Sequence, residues 1–308
     1  MSAGEFLKTE LACSRNTVNR LKHKDMGIVK NGVRITVREK LYFGDVLELA
    51  LEDGEDEVNP ALVPVQMPLD IIFEDEDIIA LNKPAGIPTH PSMLHFDDTL
   101  ANGLAAYFAA SGTPFVFRAM NRLDRNTSGV IVVAKNRLAS SRLSDTLKRG
   151  GVEKIYIAVT DGIPEPAAGR IESDIRRRQE SIITREALPA DSGAPGAQFA
   201  ATEYVTVSSD AALCRSTVLV RPITGRTHQI RVHFSYIGTP LLGDDLYGRA
   251  SPDFPHQALH ALSLSFPYRD GNLTLTAPVP PRLAALTSLS QEEVIRALNA
   301  FRTQENAD

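Results

Sequence analysis

Hydrophobic and polar positions along the first 50 residues predict a very small module of helices and short strands. Residues 5–12 and 15–24 each place apolar side chains on one side at helical spacing, and Ser14 is a suitable N-cap for the second helix. Short alternating strands follow, and the Asn-Gly pair at 31–32 between them is typical of a hairpin turn. We therefore predict an α+β module over residues 1–50.

The rest of the chain carries a second, longer pattern that is rich in strands. A Pro-containing segment over 51–69 precedes it and predicts a linker, so that the second domain covers 70–303. In that domain, continuous apolar runs indicate buried strands, and a helical period bounded by capping residues indicates helices. The predicted elements are strands at 71–73, 78–81, 129–135 and 154–160, a β-rich stretch over 199–234, and helices over 137–148 and 291–302. The whole pattern predicts an α+β fold.

The charge of the whole chain argues at first against a nucleic-acid partner. Its 308 residues contain 33 Lys and Arg against 38 Asp and Glu, a formal net charge of −5, whereas phosphate backbones attract basic surfaces. Ten acidic residues fall within 52–77, however, and the remainder, 33 basic against 28 acidic, sums to +5. Residues 1–40 and 118–154 carry local charges of +5 and +6. This segregation fits one RNA-binding surface on each domain, although chance clustering of solvated charge is the alternative.

The remaining composition is that of a globular protein, with 43% hydrophobic and 23% charged residues. No apolar run approaches the ~18 residues of a membrane span, and the start of the chain lacks the apolar stretch of a signal peptide. Cys13 and Cys214 lie far apart in sequence, which excludes a disulfide framework and a multi-cysteine zinc site. We expect a reduced, cytoplasmic protein without membrane contact.

One string carries the clearest chemical signal. Asp124 lies between Arg122 and Arg125 in a loop that ends at Gly129 and leads into a predicted buried strand. Cationic neighbours favour the ionised form of a carboxylate, and a poised carboxylate can serve as a nucleophile. The alternative is a turn aspartate in a surface ion pair, and this string alone does not separate the two.

The neighbourhood of Asp124 also resembles a known catalytic motif. Residues 121–129, Asn-Arg-Leu-Asp-Arg-Asn-Thr-Ser-Gly, are similar to the His-Arg-Leu-Asp-x-x-Thr-Ser-Gly motif of the RluA-type pseudouridine synthases. Further blocks match that family in order, at 82–86, 154–158, 224–233 with 238–248, and 259–261. The resemblance implies an enzyme that converts uridine inside an RNA chain to its carbon-linked isomer. It also implies a catalytic domain built on a largely antiparallel mixed sheet, with the cleft across its middle.

The resemblance implies roles for individual residues. Asp124 would be the nucleophile or anion at the centre, and attack on ribose carbon 1′, attack on uracil carbon 6 and assistance to ribose proton loss stay open. Tyr156 would stack on the uracil and help with proton removal, and Arg231 would hold Asp124 ionised. Arg226 is the second candidate for that ion pair, or would reach a phosphate, and Arg122 would fill the space that the flipped base vacates. A purely structural role is the alternative for Tyr156 and both ion-pair candidates.

The N-terminal module resembles the small RNA-binding domain first seen in ribosomal small-subunit protein four. The resemblance rests on Ser14-Arg15, a helix that ends near Lys22, the Asn-Gly pair, and Gly44-Asp45 before the last strand; an unrelated small α+β module is the alternative. The side chains that we expect to contact RNA are Arg15, Arg20, Lys22 and Lys24 in this module, and Arg122, Arg125 and Arg226 in the catalytic domain.

Three positions depart from the family pattern. Asn121 replaces the usual His, Asn126 replaces a common Asp, and His256 replaces the usual Arg. The two asparagines are the only support for a second hypothesis, a non-catalytic RNA-binding or ribosome-assembly factor on an inherited scaffold. A third hypothesis, an RNA methyltransferase, lacks a Gly-rich cofactor loop after a strand.

The isomerisation that the resemblance implies involves no redox change and no energy input, so we expect no cofactor. We also expect no metal, because no zinc spacing is formed by the histidines of the later blocks, His228, His233 and His260. The prediction is a monomeric RNA pseudouridine synthase, with ribosomal RNA favoured over transfer RNA as its partner.

Overall fold

The computed structural model describes residues 1–54 and 57–303. Glu55 and Asp56, two of the ten acidic residues in 52–77, lie outside the described residues. The helices are α1 Ala3–Thr9, α2 Arg15–His23, α3 Leu100–Ala110, α4 Arg137–Lys148, α5 Gln229–Tyr236, α6 Pro281–Thr287 and α7 Gln291–Thr303. The strands are β1 Ile28–Lys30, β2 Val33–Arg34, β3 Leu47–Leu49, β4 Ile71–Glu74, β5 Ile78–Lys83, β6 Ser128–Ala134, β7 Glu153–Asp161, β8 Ala168–Arg177, β9 Arg185–Leu188, β10 Gln198–Asp210, β11 Arg215–Pro222, β12 Leu259–Tyr268 and β13 Gly271–Thr276.

The N-terminal module packs α1 and α2 against a three-stranded antiparallel sheet of order β2-β1-β3. Ser14 caps α2 as predicted, and Asn31 and Gly32 both have positive φ, which is the conformation of the predicted hairpin turn. The first helix was expected over 5–12, but it begins two residues earlier and ends at Thr9. The cause is a capping box between Ser2 and Glu5, which starts the helix upstream.

A ten-stranded sheet forms the large domain, in the order β4-β5-β6-β12-β7-β11-β10-β8-β9, with β13 paired to β12. The pairs are antiparallel except for β6 and β12, which are parallel and lie near the middle. The predicted largely antiparallel mixed sheet is therefore confirmed. Along β7, Ile155, Ile157 and Val159 pack toward α6 and α7, whereas Tyr156 and Ala158 pack toward α5. Because strand side chains alternate between faces, Tyr156 shares a face with α5.

One predicted element is wrong. The β-rich stretch was expected to run to residue 234, but residues from Gln229 onward form helix α5. The alternation of Ile230, Val232 and Phe234 with polar residues is typical of a half-exposed strand. Here the intervening Arg231 and the following histidine are buried as well, because they hydrogen-bond to distant polar groups. Alternation in polarity therefore did not correspond to alternation in exposure.

The segment between the N-terminal module and the large sheet forms a junction that contacts both. Both oxygens of the buried Asp53 carboxylate accept hydrogen bonds at 2.7 Å from the Arg118 guanidinium. The Glu57 carboxylate bridges Arg20 of α2 and Arg137 of α4, with Arg137 Nη2 at 2.5 Å. The acidic segment thus neutralises basic side chains from both domains, which the charge pattern along the sequence does not reveal.

Apolar contacts complete this junction. Leu138 of α4 packs into the core of the N-terminal module with Leu7, Val18 and Leu21. The Ser141 hydroxyl donates a hydrogen bond to the carbonyl of Ala12 at 2.6 Å. The module is therefore held against α4 by both polar and apolar contacts. Within the described residues, no helix is long and apolar enough to cross a membrane.

Candidate active site

Asp124 lies in the loop that leads into β6, at the parallel junction of the sheet. A turn closes the loop through the Thr127 amide, which donates to the Asp124 carbonyl at 3.0 Å. Gly129 has φ +113°, and a Cβ atom there would lie 2.2 Å from the Ala261 carbonyl oxygen on β12. Only glycine permits that approach. Gly129 therefore lets β6 pair with β12 where the loop that carries Asp124 ends.

A buried arginine joins two carboxylates at this point. Arg231 of α5 is 4% exposed, and its Nη1 atom lies 3.2 Å from Asp124 Oδ2. Its Nε and Nη2 atoms donate to the two oxygens of the fully buried Asp244 carboxylate at 2.7 and 2.8 Å. Burial opposes the charged form, but the Asp244 and Asp124 carboxylates outweigh it and raise the pKa of Arg231. The guanidinium is thus a fixed cation beside Asp124.

The chain turns sharply to place Asp244. Gly243 has φ +75°, and a Cβ atom there would lie 2.4 Å from the carbonyl oxygen of His256. Asp244 Oδ1 also accepts hydrogen bonds from the backbone amides of Leu246 and Tyr247, at 3.1 and 3.2 Å. These backbone hydrogen bonds hold the Asp244 carboxylate in position, and the carboxylate in turn holds the Arg231 guanidinium.

Tyr247 and His228 approach Asp124 from a second direction. The Arg231 guanidinium lies 5.1 Å from the centre of the Tyr247 ring. The Tyr247 hydroxyl accepts from the Arg185 amide at 2.9 Å and is hydrogen-bonded to His228 Nδ1 at 2.7 Å. His228 Nε2 faces Asp124 Oδ2 at 3.8 Å. Burial lowers the pKa of His228 and favours the neutral imidazole.

Tyr156 of β7 lies on the same face of the sheet and is electrostatically coupled to Asp124. Burial raises the pKa of its phenol, and the Asp124 carboxylate raises it further. The hydroxyl therefore stays protonated at neutral pH. The side chain packs beside Ile230 and Leu259 in an apolar cluster, so it offers a flat apolar face with a polar tip.

Lys83 is a buried cation whose part in the site the sequence did not reveal. It is fully buried, and its Nζ atom donates to the carbonyls of Pro84 and Ile87 at 2.8 Å and of Arg125 at 3.1 Å. Burial lowers the pKa of Lys83 to about 7, although the Asp124 carboxylate opposes the shift. Three carbonyl acceptors require three N–H donors, which only the ammonium form supplies. The ammonium therefore fastens the 84–87 loop to the loop that carries Asp124.

The arginines expected to contact RNA near the motif lie at the surface. Arg122 is exposed, and Arg125 is exposed with its Nε atom bonded to the Gly86 carbonyl at 3.0 Å. Arg226 is also exposed, and its Nε atom donates to the Phe199 carbonyl at 2.9 Å. Of the two arginines considered as partners of Asp124, the structure brings Arg231 to it.

In the N-terminal module, the structure divides the expected RNA contacts into two pairs. Arg15 and Lys22 are exposed on α2. Arg20 is bonded to Glu57, and both Arg20 and Lys24 donate to the carbonyl of Glu52, at 3.0 and 3.1 Å. The second pair is therefore engaged in the domain junction.

Asn121, at the family's histidine position, has a clear structural role. Its amide nitrogen donates to the Val130 carbonyl at 2.9 Å, and its oxygen accepts from the Val132 amide at 3.0 Å. The side chain thus anchors the start of the loop that carries Asp124 to β6. His256, at the family's arginine position, contacts the Gln257 carbonyl at 3.2 Å, and no hydrogen bond of the Asn126 side chain explains its substitution.

The other two histidines of the later blocks are buried, hydrogen-bonded groups. His233 contacts the hydroxyls of Thr202 and Ser173 at 2.8 and 3.0 Å, and His260 contacts Ser128 at 2.8 Å and the Ala277 carbonyl at 3.3 Å. In the part of the chain that the structure describes, no three His, Cys, Asp or Glu side chains are grouped as metal ligands.

Acid is expected to destabilise the fold through these two histidines. Burial lowers the pKa of both His233 and His260 from 6.5 to about 4. As the pH falls below 6.5, these two histidines therefore bind protons in the unfolded chain but not in the folded chain. The free energy of unfolding should fall by about 2 kcal/mol per histidine between pH 7 and pH 5. Urea titrations at both pH values measure this loss.

The matched variant for this measurement is His233→Asn. It lowers stability at both pH values because hydrogen bonds are lost, but it should show a smaller difference between pH 7 and pH 5 than the natural chain. An equal difference in the two proteins would show that His233 titrates alike in the folded and unfolded chains.

Comparison with known proteins gives one consistent result. A family model described as RNA pseudouridylate synthase matches residues 77–236. An uncharacterized RNA pseudouridine synthase of Bacillus subtilis (strain 168), YjbO, is 36% identical over 279 residues, or 90% of this chain and 95% of that protein. The ribosomal large subunit pseudouridine synthase D of Neisseria meningitidis (serogroup A) is 34% identical over 88% of this chain and 73% of its own length.

Solved structures agree with the sequence relatives. Human RNA Pseudouridylate Synthase Domain Containing 1 superimposes with a TM-score of 0.60 at 27% identity, over 76% of this chain and 95% of the human chain. The motif that contains Asp124 lies inside the region matched by the family model. The chain therefore belongs to the RNA pseudouridylate synthase family, with relatives of the RluA type, and is an RNA pseudouridine synthase.

Proposed function

We propose that this enzyme converts specific uridines of ribosomal RNA to pseudouridine, with Asp124 as its catalytic carboxylate. The observation that carries the proposal is the position of this carboxylate, 3.2 Å from a buried arginine at the parallel junction of the sheet. A charged group held in place before the substrate arrives needs little reorganisation during the reaction. Relatives named ribosomal large subunit pseudouridine synthase D support ribosomal over transfer RNA.

The proposed reaction needs no reagent from outside the RNA. The bond between uracil nitrogen 1 and ribose carbon 1′ breaks, and a bond between carbon 5 and carbon 1′ forms. Carbon 5 loses a proton and nitrogen 1 gains one, so atoms and electrons balance. Asp124 supplies the nucleophile or the anion for this exchange, and Arg231 keeps its carboxylate oriented. Tyr156, which lies on the same face of the sheet as α5, would stack on the uracil and help with proton removal.

Binding of the RNA is proposed to use both domains. Residues 1–50 would form an RNA-binding domain of the ribosomal protein S-four type, residues 51–69 the acidic linker, and residues 70–303 the catalytic domain. The exposed Arg122, Arg125 and Arg226 would meet phosphates and the vacated base position at the site. In the first domain, the exposed Arg15 and Lys22 are better placed to contact RNA than Arg20 and Lys24, which donate hydrogen bonds to the Glu52 carbonyl.

The proposed setting is a monomer in the cytoplasm. Both cysteines are free, Cys13 in the interior and Cys214 at the surface, which supports a reducing compartment.

Mapping of pseudouridine in total RNA, from cells with and without the gene, tests the proposal. We expect at least one large-subunit ribosomal RNA position to lose pseudouridine without the gene and to regain it with the natural gene. An unchanged map would contradict the function, and a loss confined to transfer RNA would contradict the substrate. The matched control is a gene with Asp145→Asn, which changes an exposed carboxylate of α4 paired with Arg149.

A further inference from the structure

The segment that follows β5 carries exposed apolar side chains on a turn at residues 92–96, near the candidate active site. Met93 and Leu94 are 89% and 88% exposed, and Phe96 is 65% exposed. Side chains of this size are normally withdrawn from water, so three within four positions mark an interaction surface. We call residues 92–96 the apolar tip.

The apolar tip is an ordered hairpin. The Ser92 amide donates to the His95 carbonyl at 2.8 Å, and the His95 amide donates to the Ser92 carbonyl at 3.1 Å. Met93 and Leu94 occupy the two turn positions between them. Downstream, Asn102 of α3 donates to the Phe96 carbonyl at 3.0 Å. The backbone therefore holds the apolar side chains outward, which costs less entropy on binding than a flexible loop would.

The base of the same loop is bonded to the catalytic loop. The Thr89 hydroxyl donates to the carbonyl of Leu123, the residue before Asp124, at 3.2 Å. His90 is close enough to Arg122 for that cation to lower the pKa of its imidazole, after the larger effect of burial. Met93 is four positions after Thr89, a span of at most about 14 Å. The apolar tip is therefore within a few nucleotides of the reacting uridine.

The chemistry of the apolar tip fits nucleobases. The tip begins three residues after Thr89, which is bonded to the loop that carries Asp124, and Arg122 and Arg125 of that loop are exposed and suit the phosphates. Bases offer apolar faces once they leave their stack, and side chains such as Met, Leu and Phe insert between base steps. Two carboxylates, Asp97 and Asp98, follow the tip in sequence. The Asp98 carboxylate already has a partner, because it is hydrogen-bonded to His95 at 2.6 Å.

We propose that Met93, Leu94 and Phe96 contact unstacked bases of the substrate RNA next to the target uridine, and so help to hold that uridine out of its stack. This inference rests on RNA being the substrate, but not on which RNA it is. It adds a second contact to the role expected of Arg122.

Photo-crosslinking tests the contact directly. RNA isolated from cells that lack the gene and were grown with 4-thiouridine is bound to the full chain and irradiated. The crosslinked peptides are then identified by mass spectrometry. We expect crosslinks within residues 92–96. Crosslinks confined to other peptides, or none at all, would overturn the proposal.

Kinetics tests the consequence. The variant Met93→Ser/Leu94→Ser should lower kcat/KM by about tenfold with total RNA from the same cells, because two apolar side chains no longer bury their surface against a base. Its melting temperature should stay unchanged because both side chains are exposed. The matched control is Leu213→Ser, since Leu213 is 58% exposed on the β10–β11 turn, at the opposite end of β11 from the segment that leads to α5.

The outcomes separate this inference from the proposed function. If the natural chain forms no pseudouridine in any RNA, the proposed function fails, and crosslinking still decides whether the tip contacts RNA. If the natural chain is active and the double variant equals it, the inference fails alone. A change of oligomeric state in the double variant, with kcat/KM unchanged, would assign the tip to a contact between copies and would also overturn it.

Discussion

Replacement of Asp124 by asparagine is expected to abolish pseudouridine formation, with a fall in kcat of at least about 10⁴-fold, or about 5.5 kcal/mol of transition-state stabilisation. The amide has the shape of the carboxylate and can still accept the hydrogen bond from Arg231. It carries no negative charge, however, and it is a poor nucleophile. Release of tritium from RNA labelled at uridine carbon 5 measures the reaction, because carbon 5 loses its hydrogen when it bonds to the ribose.

The Asp124→Asn protein should remain folded and should still bind RNA. Asp124 is partly exposed, and the surface arginines at positions 122, 125 and 226 are unchanged. Binding that weakens with added salt is expected for both proteins, because phosphate contacts release counterions. Turnover within tenfold of the natural enzyme would remove Asp124 from the centre of the mechanism. Loss of RNA binding would mean that the carboxylate acts in binding and not only in the reaction.

Replacement of Asp244 by alanine is expected to lower the free energy of unfolding by about 3–5 kcal/mol, because it leaves the buried Arg231 without its main partner. Among the residues that the structure describes, only Asp124 then remains within hydrogen-bond distance of the guanidinium. The arginine is free to shift, and misplacement of about 1 Å near a reacting group can cost about 10²-fold in rate. Urea denaturation and tritium release measure the two losses.

A second variant separates stability from catalysis. In Asp244→Ala/Arg231→Met the unpaired buried charge is gone, so most of the lost stability should return while activity stays low. The exposed pair of Arg149 with Asp145 is the control, since Arg149→Ala should leave the free energy of unfolding unchanged within error. Recovery of activity in the double variant would contradict the role of Arg231 beside Asp124. Failure to recover stability would show that packing, and not charge, dominates at this position.

Much of the fold could be predicted where one element carries its own pattern. The continuous apolar run at 129–135 corresponds to β6, and the helix predicted over 137–148 corresponds to α4. Helix α5 was missed because its polar residues find partners far away in sequence. Arg231 reaches a carboxylate 107 positions away, and His233 reaches hydroxyls 31 and 60 positions away. A local pattern contains no information about such partners.

The charge pattern located the acidic and basic segments correctly, but it did not show which of them contact one another. The acidic segment separates two basic segments along the chain, which suggested one RNA-binding surface on each domain. In the fold, Asp53 and Glu57 meet Arg118, Arg137 and Arg20. The segregated charges are partners across the domain junction, because folding brings together groups that are 37 to 80 residues apart.

The sequence by itself determined the family, the α+β class and the motif that contains Asp124, because these depend on residue order and local periodicity. Only the tertiary structure decided which arginine meets Asp124, that Asp244 and Tyr247 hold this arginine, and that Lys83 ties two loops together. It also decided that the N-terminal module rests on α4. The physical reason is that buried charges must find partners, and the packing of distant segments determines which partners are in reach.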